Sequence, residues 1–105
     1  MLSPLSKKSQ VILELLCGSD ERYGLEMVKA EPKQLKRGTI YVTLSRLEDQ
    51  GLVESREVKP DVGRGPARRV YRITAAGKQI LEASRRFNSV VVDSLALELT
   101  GGRNG

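Results

Sequence analysis

The hydrophobic rhythm of this chain changes at Gly51. Ahead of it, Ile40, Leu44 and Leu47 recur at i, i+4 and i+7, the spacing of one side of an α-helix. Behind it, Leu52-Val53-Glu54-Ser55-Arg56-Glu57-Val58 reads as a strand. Glycine at the junction supplies the left-handed residue that stops a helix. The sequence therefore predicts a helix over 37–50 and a strand directly after it. Two faces of that helix differ. Thr39, Tyr41, Val42, Thr43, Ser45 and Arg46 point away from the apolar side. Short hydrogen-bonding groups with one phenol and one guanidinium suit the base edges and backbone walls of a DNA major groove. The same pattern also fits an ordinary amphipathic helix whose polar side meets only water.

A second run, Arg68-Arg69-Val70-Tyr71-Arg72-Ile73-Thr74, reads as the partner strand, with Arg69, Tyr71 and Ile73 on one face. Pro60, Gly63, Gly65 and Pro66 keep the segment between the strands irregular. A hairpin with a long basic tip, placed straight after a third helix, is a winged helix. Charge supports the placement. The chain has a net charge of +5, and Lys59, Arg64, Arg68, Arg69 and Arg72 face Asp61 alone within residues 59–72. A focused basic patch points to a polyanion more strongly than a diffuse basic surface does. Arg64 at the tip can reach a minor groove or run along phosphates. The bland alternative is a solvated hairpin loop.

Upstream, residues 6–17 form the first predicted helix, with Val11, Ile12, Leu15 and Leu16 as its stripe, Ser6 as its cap and Gly18 as its end. Cys17 closes that helix in a core or boundary position. Ser19 to Tyr23 reads as a polar turn, and Tyr23 to Val28 opens a second helix with Leu25 and Val28 inward and Met27 as a further inward candidate. Pro32 argues that this helix stops by Glu31, since the residue before proline avoids the α region. Tyr23 either packs as a lid on the helix or offers its hydroxyl to a phosphate. Two short helices joined by a turn to the third make a helix-turn-helix skeleton. Lys36 and Arg37 stand where the third helix begins, opposing its dipole, a conflict that a nearby phosphate relieves.

Downstream, Thr74 caps a final helix from Ala75 to about Leu99, slightly weakened in its first turn by Gly77. Ile80, Ala83, Phe87, Val90, Ser94 and Leu97 alternate by three and four, and Val91, Val92, Leu95 and Leu99 add apolar surface on other sides. A helix apolar nearly all round needs cover from more than one direction, and a second copy of the chain is the expected source. Ile80, Phe87, Val91 and Leu95 are the expected interface. The organisation is thus mainly α with a small β-hairpin. A winged helix-turn-helix fills residues 1–74, a dimerisation helix 75–100 and a frayed tail 101–105.

Other function classes find little support. With no histidine and a single cysteine, the chain offers neither a conventional zinc site nor a His-based catalytic pair, and no phosphate-binding glycine loop is present. No cofactor or metal is expected, and no enzyme activity. No apolar run approaches the roughly 18 residues that cross a bilayer, so the expected location is cytoplasmic. A protein-interaction module whose hairpin docks on an acidic partner is the alternative to DNA binding.

Several segments together resemble the PadR-like transcriptional regulators. They are Arg22-Tyr23-Gly24-Leu25-Glu26, Arg37-Gly38-Thr39-Ile40-Tyr41, Leu44 through Val53, the wing from Gly63 to Tyr71, and Ile73 through Lys78. The resemblance covers about residues 9–82. It implies a winged-helix DNA-binding domain, usually a homodimer built through the C-terminal helix, and most often a repressor. It puts Thr39, Tyr41 and Thr43 on the recognition helix and Arg64, Arg68 and Arg69 on the wing. The chain departs from the family pattern at Lys36-Arg37, where Ser-Pro is common, and at Val42, where proline is frequent. Its single C-terminal helix is shorter than the helical domain of some members. Some relatives bind aromatic small molecules between subunits, but this chain has no tryptophan to stack on one, and the sequence lends no support to a small-molecule effector.

Overall fold

The computed structural model describes residues 5–59 and 68–88. Helix α1, Lys7–Cys17, starts where predicted: the Ser6 side chain accepts from the Ser9 backbone N–H at 3.2 Å. Its buried residues are Ile12, Leu13 and Leu16, while Val11 and Leu15 are half-buried at the edge of the core. The apolar face is therefore turned by one position from the stripe read in sequence. Cys17 is exposed at the helix end.

Residues 22 and 23 depart from expectation. Arg22–Tyr23 is a strand, β1, and not part of a turn. The Arg22 guanidinium holds the approach to it, donating to the Leu15 carbonyl and the Ser19 hydroxyl at 3.3 and 3.0 Å. Helix α2, Gly24–Ala30, follows at once, with the Glu26 carboxylate accepting from the Tyr23 N–H at 2.7 Å. Its fully buried side chain is Met27, whereas Leu25 and Val28 are only half-buried. Leu35, buried in the turn after α2, pins that turn to the core.

Helix α3 is Ile40–Asp49, so residues 37–39 belong to the preceding turn and the helix is shorter than predicted. Ile40, Leu44 and Leu47 are its buried residues, as their spacing requires. Gly51 has φ of 75°, the left-handed conformation expected of it. Strands β2, Val53–Val58, and β3, Arg68–Ile73, pair antiparallel from Val53–Ile73 to Val58–Arg68. β1 adds to the other edge of β3 through Arg22–Tyr71 and Tyr23–Val70, giving the order β1-β3-β2. Both Val70 and Tyr71 are buried although they point to opposite faces; Tyr71 belongs to the core cluster and Val70 lies outside it.

A fourth helix, α4, is described over residues 75–88. Thr74 caps it, accepting from the Gly77 N–H at 3.0 Å, and also donates its hydroxyl to the Gly51 carbonyl at 2.7 Å. The Thr74 N–H donates to the Leu52 carbonyl at 3.1 Å. Gly77 is no weak point here. A Cβ at that position would lie 2.1 Å from the Leu52 carbonyl oxygen, so only glycine lets the helix settle onto this corner. Leu81 enters the common core, and Ile80 packs partly against it. Beyond Leu81, α4 meets α1 along a polar seam. Gln10 accepts from Ser84 and Asn88, and Arg85 pairs with Glu14 through two hydrogen bonds. The hairpin tip with Arg64, and the predicted interface residues Val91 and Leu95, lie outside the described residues.

Candidate nucleic-acid interface

The core fixes which side of α3 faces outward. At about 100° per residue, Val42 stands nearly opposite Ile40, Leu44 and Leu47. Tyr41 and Val42 are the large hydrophobic residues left exposed among the described residues, at 47% and 55%. Ser45 and Arg46 follow Val42 on the same outward face one turn on, and both are exposed. Thr43 is set to the side. It is half-buried, and its hydroxyl donates to the Thr39 carbonyl at 3.3 Å. Thr39 precedes the first helical residue, and its side chain does not cap the helix.

Tyr41 is positioned by a glycine. A Cβ on Gly24 would come within 2.8 Å of the Tyr41 ring, so the phenol lies against the start of α2 because residue 24 has no side chain. This contact joins the two helices of the helix-turn-helix. Between them and the hairpin lies a groove of about 670 Å³. Tyr23, Tyr41, Arg37, Arg68 and Arg69 line its polar side, and Leu25 and Val28 lie among its apolar lining.

The structure also sorts the arginines. Arg56 is paired with Glu21, Arg72 with Glu54 and Arg85 with Glu14. Glu21 and Glu14 are held below the ordinary carboxylate range chiefly by these arginine hydrogen bonds. Lys36 donates to the Pro32 carbonyl at 2.9 Å. Arg69 donates to the Ser55 hydroxyl at 3.0 Å, and Ser55 donates in turn to Glu48 of α3 at 2.8 Å. Arg69 thus braces the hairpin against α3. Burial pushes the neighbouring Tyr71 hydroxyl above its ordinary value, with the Glu48 carboxylate adding to the effect. Arg37, Arg46 and Arg68 have no carboxylate partner among the described residues. Arg68 lies over the Tyr23 ring, 5.4 Å from its centroid, a cation–π distance. These three guanidiniums stand before α3, on its outward face and at the hairpin root; Arg86, exposed on α4, is a further arginine without a carboxylate partner among the described residues.

Sequence reasoning puts Ser45 and Arg46 on the outward face, where the structure has them, but misses two relations. It treats Arg68 and Arg69 alike as wing residues and gives Gly24 no role. The glycine in Arg22-Tyr23-Gly24-Leu25-Glu26 was the available signal for the last. Among the described residues no group of histidine, cysteine or carboxylate side chains could hold a metal ion, and no helix is long and apolar enough to cross a membrane.

A helix-turn-helix with its second helix bare on one side, followed by an antiparallel hairpin and closed by a further helix, defines a winged helix-turn-helix domain. The chain belongs to the PadR-like family of transcriptional regulators, whose model matches residues 12–83. It is 45% identical over 67 residues to the transcriptional regulator Rv3488 of Mycobacterium tuberculosis, a stretch that is 64% of this chain and 56% of that protein. The chain thus covers little more than half the length of that relative. Its fold is similar to that of a PadR-family regulator from Eggerthella lenta, with a TM-score of 0.75 and 25% identity over 88% of this chain and 80% of the other. It is also similar to Bacillus subtilis PadR solved in complex with operator DNA, with a TM-score of 0.68 and 26% identity over 76% of this chain and 47% of that one.

Proposed function

We propose that the chain is a sequence-specific DNA-binding regulator that acts as a dimeric repressor. The observation that carries the reading is the bare outward face of α3, Tyr41-Val42 and Ser45-Arg46, flanked by uncommitted guanidiniums. α3 enters the major groove, and Arg37 and Arg68 meet the phosphates on either side of it. Arg64 extends the contact along the backbone or into the minor groove. Tyr23, Lys36 and Thr39 stand at the margin of this surface, and Arg69 holds the wing in place. The operator complex of the similar Bacillus subtilis protein supports this choice over an acidic protein partner. Two copies join through the C-terminal helix by Phe87, Val91 and Leu95, with Ile80 shared between that contact and the chain's own core. Half-sites then lie about one helical turn apart. The reading assigns the chain no catalysis, cofactor or effector, and it places the protein in the cytoplasm with the DNA.

The test is the salt dependence of binding to a duplex. About three phosphates neutralised per subunit give a log–log slope near −5 for the dimer, at roughly −0.9 per phosphate. Replacing Arg64, Arg68 and Arg69 together should weaken binding to all sequences alike. A slope near zero, or no binding to random duplex at low salt, refutes the proposal. Polar replacement of Val91 and Leu95 should yield monomers in sedimentation, and surviving dimers would put the interface elsewhere.

A further inference from the structure

The most outward residue of α3 is an apolar one. A valine stands 55% exposed at the centre of a surface made of tyrosine, serine and arginine, and the core packing of the described residues does not call for an apolar side chain there. Its neighbours Ser45 and Arg46 are well suited to base edges and phosphates; Val42 is suited to neither. The major groove presents hydrogen-bonding groups at every base pair, and a single apolar group, the C5-methyl of thymine. Pressing a valine on any other base edge strips that edge of water and returns no hydrogen bond. We propose that Val42 is a specificity-determining residue that packs against the methyl group of one thymine in each half-site. This rests on the reading of α3 as the helix that enters the major groove, and it names the base that reading leaves open. Tyr41 stands about 100° round the helix from Val42 with its ring lying against the start of α2 at Gly24, so Val42 holds the centre of the face.

The geometry gives the contact its place in the site. Ser45 and Arg46 flank Val42 at i+3 and i+4, so polar contacts to adjacent base pairs or phosphates hold the valine over its target. The two valine methyl groups, fixed by one preferred side-chain rotamer on a helix, lose little freedom on contact.

The experiment uses the full chain and duplexes enriched from a random pool. Each thymine of the enriched site is replaced singly by deoxyuridine, which removes the methyl and nothing else. One position per half-site should weaken binding by about fourfold, the worth of one buried methyl-sized group. With Val42→Ser, which removes both valine methyls from an exposed position, that sensitivity should vanish while the other positions keep theirs. If uracil is tolerated at every thymine, if the enriched site has no thymine, or if Val42→Ser leaves the penalty intact, the proposal is overturned. If no sequence is enriched at all, it is the DNA-reading role of α3 that fails instead.

Discussion

Replacing Gly77 by alanine sets two physical effects against each other with opposite signs. Helix propensity alone favours the change, since alanine gains about 1 kcal/mol over glycine inside a helix. The structure opposes it. The new Cβ would sit 2.1 Å from the Leu52 carbonyl oxygen and 2.7 Å from Cγ1 of Ile73. Backbone cannot swing aside as a flexible side chain does, so α4 must lift off the corner. Overpacking of this kind costs about 1–3 kcal/mol. The same carbonyl accepts from the Thr74 N–H, and losing that bond adds about 0.5–1.5 kcal/mol. Net of the propensity gain, Gly77→Ala should destabilise the fold by about 2 kcal/mol. Urea unfolding followed by circular dichroism measures it, with parent and variant at equal protein concentration because association shifts apparent stability. The midpoint should fall by about 1 M with the slope unchanged. Gly38→Ala is the matched control: nothing lies within 4 Å of a Cβ there, and the variant should be as stable as the parent or slightly more so. A Gly77→Ala midpoint equal to or above that of the parent would refute the close-approach argument.

Gly24→Ala should behave differently, because the atoms in its way belong to the swingable Tyr41 ring. Stability should change by less than about 1 kcal/mol while DNA affinity drops about tenfold, the worth of one displaced contact; unchanged affinity would remove Tyr41 from the interface. Ser55→Ala should weaken DNA binding through a loosened wing without altering the salt slope, whereas Arg68→Ala should reduce the slope by about one unit per subunit; equal slope changes would mean Arg69 is no brace. Glu14 has its folded pKa below the ordinary 4.5, chiefly through the Arg85 hydrogen bond. Its contribution is therefore present at neutral pH and lost as the pH falls below 4.5 through the folded value. Glu14→Gln should cost less than about 1 kcal/mol at pH 7, since the pair is partly solvated, and should flatten the acid limb of stability against pH.

The parts of this fold written in local pattern were legible. The α3 stripe, the Gly51 stop, the Ser6 and Thr74 caps and the hairpin partners all follow from short-range periodicity or cap chemistry. Relations between distant residues were not. β1 has two residues, too few for alternation to register, and exists because β3 offers it an edge. Arg56 and Glu21, or Arg85 and Glu14, look like free charges until the fold brings them together. Composition could count a basic hairpin but could not tell that Arg72 is neutralised and Arg69 tethered while Arg68 is free. Gly77 was misjudged for the same reason: what it makes room for is a carbonyl from another part of the chain.

The corner built from Gly51, Leu52, Thr74 and Gly77 also behaves as a lever mount. α3 ends there and α4 leaves from there, tied together by the Thr74 hydrogen bonds to the Gly51 and Leu52 carbonyls. At about 1.5 Å per residue, residues 75–88 make an arm of about 21 Å. A tilt of about 10° over that length moves the far end by about 3.7 Å, close to the ~3.4 Å between successive base pairs. In the proposed dimer, a small change in how two such arms are splayed would therefore shift each α3 by about one base pair, enough to move the pair from one half-site spacing to the next.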